Sequence, residues 1–337
     1  MSRLWCALLL WPILVMAASP PVDPPEDLPE LFREEVRYVM GTLATVRSWS
    51  PAGQANDAAV AAAFSGFDLV DSLMSTWRED SALMALNRAP AGQWVVVGHD
   101  VTLVLGRALE AAAMSGGAFD PTVLPLVRLW GFRSPRVSVP DSQAIRDCLA
   151  KVDYRNVEVD SVGLRARFLA PGMAIDLGGI AKGYALDLAA SRMKAAGAVG
   201  GYLDLGGNIL VFGQQPGQQV GIVDPANPDE ILASLPLAAG AVATSGQYER
   251  FLVLDGVSYG HIIDPRTGWP VTPGYSVTVL ADRAILADAL ATAAVVLGAG
   301  QGHRLLETAT GVEGVTVTEA PSGPAVLRAT SGLTPGP

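Results

Sequence analysis

An aspartate and a threonine stand four residues apart in an apolar stretch of the second half of the sequence, at Asp288 and Thr292. Residues 285–297 are predicted to form a helix, and positions i and i+4 of a helix share one face, so the carboxylate and the hydroxyl point at the same spot. Two hard oxygen donors there suit Mg²⁺, which keeps waters and substrate phosphates in its remaining positions. Alternatively, Thr292 bonds back to its own helix and Asp288 complements the helix dipole.

A second pattern combines an acid, two glycines and a lysine at the start of another predicted helix, over residues 180–196. Asp176 ends a strand-like stretch, Gly178 and Gly179 follow, and Lys182 comes one turn into the helix. Backbone amides at a helix start face an anion, and Lys182 adds a point charge, so the pattern indicates a cradle for a phosphate or a ribose. The alternative is an Asp176 N-cap with Lys182 in solvent.

Two more glycine-rich segments lie between predicted elements. Residues 116–122 follow a predicted helix, and Asp120 precedes a proline, which favours an extended backbone. This segment either approaches a ligand closely or only ends the helix. Residues 204–208 have a similar D-L-G-G-N composition, which we interpret as turn chemistry without a further role.

His261 is one of three histidines, and Asp264 follows it by three residues where a predicted strand runs into a Pro-Arg-Thr-Gly turn. Histidine is the side chain best suited to move a proton near neutral pH, although a single strand histidine is more often structural. Residues i and i+3 of a strand project to opposite faces, so Asp264 can orient His261 only if the chain bends there.

Composition excludes several classes of protein. The chain has 337 residues, 23 Lys and Arg, 33 Asp and Glu, and a net charge of −10, which disfavours binding to nucleic acid. The one membrane-like stretch, residues 4–18, is shorter than the about 20 residues needed to span a bilayer, which excludes a polytopic membrane protein. The two cysteines, Cys6 and Cys148, cannot form a zinc cluster or a disulfide framework. Any anionic ligand must therefore be held by a metal, glycine amides or helix N-termini.

The N-terminal region has the composition of an export signal. A positive residue, an apolar core and small residues predict a signal peptide over residues 1–18, with a buried helix as the alternative. A Pro-rich linker is expected over residues 19–34, a single main domain over residues 35–329 and a loose tail over residues 330–337. These features predict a periplasmic protein.

The order of the predicted helices and strands indicates an α+β fold with mainly antiparallel sheets and packed helices, because strands and helices do not alternate strictly. We expect one strand over residues 35–49, a helix over residues 56–74 and a strand-rich second half. The chain lacks a G-x-G-x-x-G after a strand and a P-loop.

Eight segments, in this order, resemble the ApbE family, the FAD:protein FMN transferases. The segments are M-G-T (40–42), S-T-W-R-E-D-S (75–81), G-A-F-D-P-T (117–122), L-W-G-F (129–132), D-L-G-G-I-A-K-G (176–183), T-S-G (244–246), H-I-I-D-P-R-T-G (261–268) and A-D-x-x-x-T (287–292). The resemblance implies a two-lobed α+β fold related to the T-fold. It also implies export and Mg²⁺-dependent cleavage of FAD, which releases AMP and attaches FMN to a Ser or Thr of a partner protein.

The acceptor implied by the resemblance is a flavin subunit of a membrane redox complex or a regulator of nitrous-oxide reduction. Two alternatives to transfer remain, an Mg²⁺-dependent FAD pyrophosphatase and a non-catalytic flavin-binding assembly protein. The family often has Tyr where this chain has Trp77, and Trp keeps the stacking surface but loses the hydroxyl.

The resemblance also assigns roles by position. Contacts with FAD would come from Met40, Trp77, Ala118, Phe119, Asp120, Asp176, Lys182 and Ile263. Mg²⁺ would be held by the Gly179 carbonyl, Asp288 and Thr292. His261, with Asp264 as its neighbour, is our candidate for the base that deprotonates the acceptor hydroxyl.

Overall fold

Fifteen β-strands and seven α-helices make up the part of the chain that the structure, a computed structural model, describes: residues 32–132, 138–246, 251–254, 256–272, 274–319 and 324–336. The predicted signal peptide lies outside the described residues. The helices are α1 (Gly53–Met74), α2 (Ala82–Arg88), α3 (Gly98–Met114), α4 (Leu124–Trp130), α5 (Ser142–Leu149), α6 (Ala181–Ala195) and α7 (Ala284–Thr308). The strands are β1 (Phe32–Val39), β2 (Thr42–Trp49), β3 (Val95–Val96), β4 (Val157–Asp160), β5 (Arg165–Phe168), β6 (Gly200–Leu205), β7 (Asn208–Gly213), β8 (Gln218–Asp224), β9 (Asn227–Leu237), β10 (Gly240–Gly246), β11 (Phe251–Leu254), β12 (Val257–Gly260), β13 (Tyr275–Ala281), β14 (Val312–Thr318) and β15 (Val326–Ala329).

One eight-stranded sheet organises these elements. Its strand order is β1-β2-β6-β7-β10-β13-β14-β15, and every neighbouring pair is antiparallel. Three smaller antiparallel sheets, β3-β5-β4, β8-β9 and β11-β12, surround it. The predicted α+β class with mainly antiparallel sheets is therefore confirmed.

The long helices cover one face of the large sheet. Helix α1 buries Val60, Phe64 and Phe67, which recur at helical spacing, and it packs against α6 and the first two strands. Helix α7 contacts α6 and the strands at the other half of the sheet. The largest apolar cluster lies between these helices and the sheet, so α6 and α7 are held with their N-terminal ends in contact.

Two stretches of the chain form tight hairpins. The strand predicted over residues 35–49 is β1 and β2, which turn at Met40 and Gly41 with φ values of 51° and 76°. The stretch after residue 200 likewise turns at Gly206 and Gly207, with φ values of 62° and 86°. Two successive residues with left-handed backbone conformations form a tight hairpin turn. Met40 is neither a glycine nor a small polar residue, the types that usually occupy such a position.

The ends of the main domain also differ from the prediction. Strand β1 begins at Phe32, inside the predicted linker, where it pairs with Trp49. The tail that we expected to be loose is attached, because the buried Thr330 hydroxyl accepts a hydrogen bond from the Gly314 amide at 3.0 Å. Gly336 forms a β-bridge with Ser234.

Helix α7 extends further than residues 285–297 and has a kink at Gly298, where φ is 81°. It is also the one described helix that is long and apolar enough to span a membrane. Most of its apolar residues are buried against α6 and the sheet, which is typical of a core helix. The site residues Asp288 and Thr292 lie before the kink.

The close contact between α6 and α7 generates a prediction. A Cβ atom on Gly183 would lie 2.2 Å from the Ala284 carbonyl oxygen, so Gly183→Ala must push the two helix starts apart. We expect a loss of roughly 1–3 kcal/mol of stability, measured by urea unfolding. Gly106→Ala in α3 is the matched control, because nothing lies within 4 Å of its added Cβ. It should be neutral or stabilising by about 0.5–1 kcal/mol. Equal stability of the two variants would contradict this packing.

Candidate functional site

Asp288 is a buried carboxylate at the junction of α6 and α7. Asp288 is 4% exposed, and its Oδ2 accepts a hydrogen bond from the Gly183 amide at 2.8 Å. Burial raises the pKa of Asp288, while the positive charge of Lys182 opposes that rise. A buried carboxylate is costly unless it is neutral, paired or bound to a metal, so a bound cation would stabilise the charged form of Asp288.

Three segments meet beside Asp288. A Cβ on Gly179 would lie 3.1 Å from Thr292 Oγ1 and 3.2 Å from Phe119 Cε2, so the glycine allows the α7 face and the Phe119 loop to approach its backbone. The Ser245 and Thr292 hydroxyl oxygens are 3.5 Å apart. The structure therefore brings together all three residues of the predicted metal set and one residue of the predicted flavin pocket.

The donors of this cluster fit Mg²⁺. The Gly183 amide lies in the first turn of α6, where amides have no partner within the helix, and it donates to Asp288. Among the described residues, none donates a hydrogen bond to the Gly179 carbonyl, which stays available as a ligand. A carboxylate, a hydroxyl and a carbonyl are oxygen donors that suit Mg²⁺. The described part of the chain has no group of three or more His, Cys, Asp or Glu side chains suited to a metal.

The loops before α6 are held against each other by their backbones. The Asp176 amide donates to the Pro121 carbonyl at 2.8 Å, and Val123 and Ala174 form a parallel bridge. Asp176 Oδ1 accepts from the Gly178 amide at 2.7 Å, which is a turn contact rather than a cap of the helix itself. The two predicted cradles, around Asp120 and Asp176, thus form one continuous structure.

Asn87 fixes this structure from the side, and the sequence pattern did not single it out. Its Nδ2 donates to the Ile175 carbonyl at 2.9 Å, and its Oδ1 accepts from the Ile175 amide at 2.7 Å. These two hydrogen bonds resemble those that a neighbouring β-strand would form with Ile175, the residue before Asp176. Helix α2, which carries Asn87, begins at an N-cap formed by Ser81.

Asp120 is occupied by internal hydrogen bonds. Its Oδ1 accepts from the Thr122 amide at 2.8 Å and the Thr122 hydroxyl at 2.6 Å, and its Oδ2 accepts from the Tyr154 amide at 2.9 Å. Burial raises the pKa of Asp120, which these hydrogen bonds oppose. The carboxylate therefore shapes its own loop, while Ala118 and Phe119 are buried beside it.

Trp77 and Met40 differ in exposure. The Trp77 side chain is 67% exposed. The neighbouring Thr76 hydroxyl contacts Asp176 Oδ2 at 3.4 Å, which connects the Trp77 segment to the α6 loop.

Met40 is half-buried at the tip of the β1–β2 hairpin. This tip lies beside the β6–β7 turn, because the Gly206 amide donates to the Leu43 carbonyl.

The structure gives Asp264 a contact other than the predicted one. Its carboxylate accepts hydrogen bonds from the Arg266 amide and from two guanidinium nitrogens of the same residue, each at 2.9 Å. Asp264 thereby closes the Pro-Arg-Thr-Gly turn. His261 is half-buried just after β12, and the buried Ile263 forms a bridge with Pro270.

Trp130 holds this turn in place. Its Nε1 donates to the Gly268 carbonyl at 2.8 Å, and its ring packs against Tyr259 and Trp269. Arg266 also donates to the Val296 carbonyl of α7 at 3.3 Å. The L-W-G-F segment therefore positions the histidine loop relative to α7, which no local pattern predicted.

Comparisons with known proteins agree with this geometry. A sequence model described as the ApbE family matches residues 40–316. The FAD:protein FMN transferase of Treponema pallidum is 38% identical over 299 residues, which are 83% of this chain and 82% of that protein. A FAD:protein FMN transferase of Klebsiella pneumoniae is 33% identical over 249 residues, 71% of each chain.

Solved structures of ApbE proteins have a fold similar to that of this chain. The crystal structure of the ApbE protein of Thermotoga maritima has a TM-score of 0.81 at 31% identity and covers 89% of this chain and 97% of its own. The flavin transferase ApbE of Vibrio cholerae has a TM-score of 0.77 at 26% identity, with the same two coverages. The chain belongs to the ApbE family.

Proposed function

We propose that this protein transfers the FMN part of FAD to a Ser or Thr hydroxyl of a partner protein and releases AMP, with Mg²⁺ as its cofactor. The observation that carries the proposal is the cluster of Gly179, Asp288 and Thr292 oxygens beside the Phe119 loop. The relatives named FAD:protein FMN transferase support it from sequence.

Each charged group of the site has a task in this reaction. The acceptor oxygen attacks the phosphorus on the FMN side, and the bond from that phosphorus to the bridging oxygen breaks, so AMP leaves with that oxygen. Mg²⁺, held by Gly179, Asp288 and Thr292, would neutralise charge on the diphosphate. Lys182 and the first amides of α6 add positive charge to a protein whose net charge is −10. His261 accepts the proton of the acceptor hydroxyl.

The flavin contacts are assigned to the residues that the family resemblance implies. Trp77 offers an exposed ring for stacking on FAD, and Met40, Ala118, Phe119 and Ile263 supply apolar contacts. Asp120 and Asp176 act through the shape of the loops that they close.

The proposed acceptor is a protein of the exported side of the membrane, either a flavin subunit of a membrane redox complex or a regulator of nitrous-oxide reduction. The location proposed for the enzyme is the periplasm. Both proposals rest on the signal-like residues 1–18 and on the family resemblance.

Incubation of the purified protein with FAD, Mg²⁺ and a candidate acceptor tests the proposed activity. Transfer produces a fluorescent acceptor band in a denaturing gel together with one AMP per flavin attached. AMP and free FMN without that band would instead indicate a pyrophosphatase. Absence of any turnover would indicate a flavin-binding assembly protein.

The first prediction from this function concerns His261. His261→Ala should lower the transfer rate by about 10²–10⁴-fold, because the acceptor hydroxyl loses its base, while the Kd for FAD changes little. The exposed His99 in α3 provides the matched control, and His99→Ala should keep the full rate. A rate equal to wild type in the His261 variant would exclude this residue as the base.

The second prediction concerns Asp288. Asp288→Asn keeps the shape and an acceptor for the Gly183 amide but removes the buried charge, so the metal-free protein should unfold at an equal or higher temperature. The wild type should gain about 2.7 kcal/mol of stability at a metal concentration 100 times Kd, and the variant should gain none. Thermal unfolding with and without MgCl₂, in the presence of FAD, measures both effects.

Chelation is the matching test on the wild type. Excess EDTA should abolish transfer, and added Mg²⁺ should restore it. Full activity in excess EDTA, or an unchanged metal response in Asp288→Asn, would refute the metal site.

A further inference from the structure

Asn208 is a buried amide that the proposed reaction does not use. It is the first residue of β7, directly after the Gly206–Gly207 turn, and it is 2% exposed. Among the described residues, its Nδ2 has no hydrogen-bond partner. A buried donor without an acceptor is rare in folded proteins, so this position requires an explanation.

The sheet register turns Asn208 toward α7. Asn208 pairs with Leu205 across the hairpin, and Leu205 is buried in the large cluster between the sheet and the helices. Strand β7 contacts both α6 and α7. The Asn208 amide faces the Asp288 carboxylate and favours its charged form, although it stops short of a hydrogen bond.

Asp288 has room for a second donor. Among the described residues, the Gly183 amide donates a hydrogen bond of normal length to Asp288 Oδ2. This hydrogen bond engages Oδ2 alone, so it does not by itself fix the plane of the carboxylate. Carboxylates that bind metals are usually held by additional hydrogen bonds from residues behind them.

We propose that Asn208 is a positioning residue for Asp288, to which its Nδ2 donates a hydrogen bond when a divalent cation occupies the site. With Gly183 it holds the carboxylate plane, so that the remaining lone pairs point at the cation. The inference rests on the proposed metal site and adds to it a residue from the sheet.

A merely structural asparagine serves as the control. Asn56 in α1 is 1% exposed and also has an Nδ2 without a partner in the described part of the chain. Its Oδ1 accepts a hydrogen bond from the Ser48 hydroxyl at 2.9 Å, at a position packed against the first strands and away from Asp288. The two asparagines therefore share burial and an unpartnered amide, and they differ in their distance from the metal carboxylate.

The test is a Mn²⁺ titration of the full chain with FAD present, followed by the EPR signal of free Mn²⁺, with a protein-free sample as the blank. Asn208→Ala should weaken Mn²⁺ binding by about 10–100-fold, the usual effect of losing a residue that orients a metal ligand. Asn56→Ala should change it by less than about twofold. A shift in Asn208→Ala no larger than in Asn56→Ala would overturn the proposal.

A second variant separates positioning from folding. Asn208→Leu replaces the amide by an apolar group of similar size, so a purely structural residue would tolerate it with unchanged Mn²⁺ affinity. A positioning residue predicts a thermal midpoint equal to or above wild type together with the same 10–100-fold loss of affinity. Retained affinity in this variant would overturn the proposal.

Asp288→Asn in the same titration identifies which claim has failed. Loss of binding in Asp288→Asn with full binding in both Asn208 variants would remove the inference and leave the metal site. Binding as in wild type in Asp288→Asn would refute the metal site of the proposed function and the inference with it.

Discussion

The burial of one carboxylate, that of Asp288, governs the arrangement of the whole site. An ionised carboxylate away from water is costly unless opposite charges and hydrogen bonds surround it. Here a single amide hydrogen bond from Gly183 and the charge of Lys182 act on it. In the proposed function a bound cation supplies further compensation, and the helix contact that buries Asp288 would then also create the place for the metal.

The glycines near this carboxylate are consequences of the same constraint. Gly183 lets the two helix starts touch, and Gly179 lets Thr292 and Phe119 approach its backbone. Gly183 lies in the first turn of α6, where the amides have no partner within the helix, so its amide can donate to Asp288. Asn87 and Trp130 then hold the two loops that complete the site, each through hydrogen bonds to backbone groups far away in sequence.

Short sequence patterns were sufficient to predict the features that depend on residues close together in the sequence. The periodicity of apolar residues located α1, and the four-residue spacing placed Asp288 and Thr292 on one face of the helix predicted at the start of α7. The hairpin at Met40 was not predictable, because a left-handed backbone at a methionine carries no local signal.

Long-range packing decided the rest. Asn208 belongs to the site because strand register turns it toward α7, whereas its D-L-G-G-N segment alone indicates only a turn. Asp264 binds Arg266 within its own turn, a choice that depends on how the chain bends after Ile263. Thr330 begins a tail that composition predicted to be loose, but its hydroxyl accepts a hydrogen bond from the backbone of β14.

A crystal of the protein soaked with Mn²⁺ and measured at the manganese absorption edge would test the central claim most directly. The buried carboxylate predicts one strong anomalous peak at about 2.0–2.2 Å from an Asp288 oxygen, Thr292 Oγ1 and the Gly179 carbonyl oxygen. No peak at this junction, or an equal peak in Asp288→Asn crystals, would contradict it.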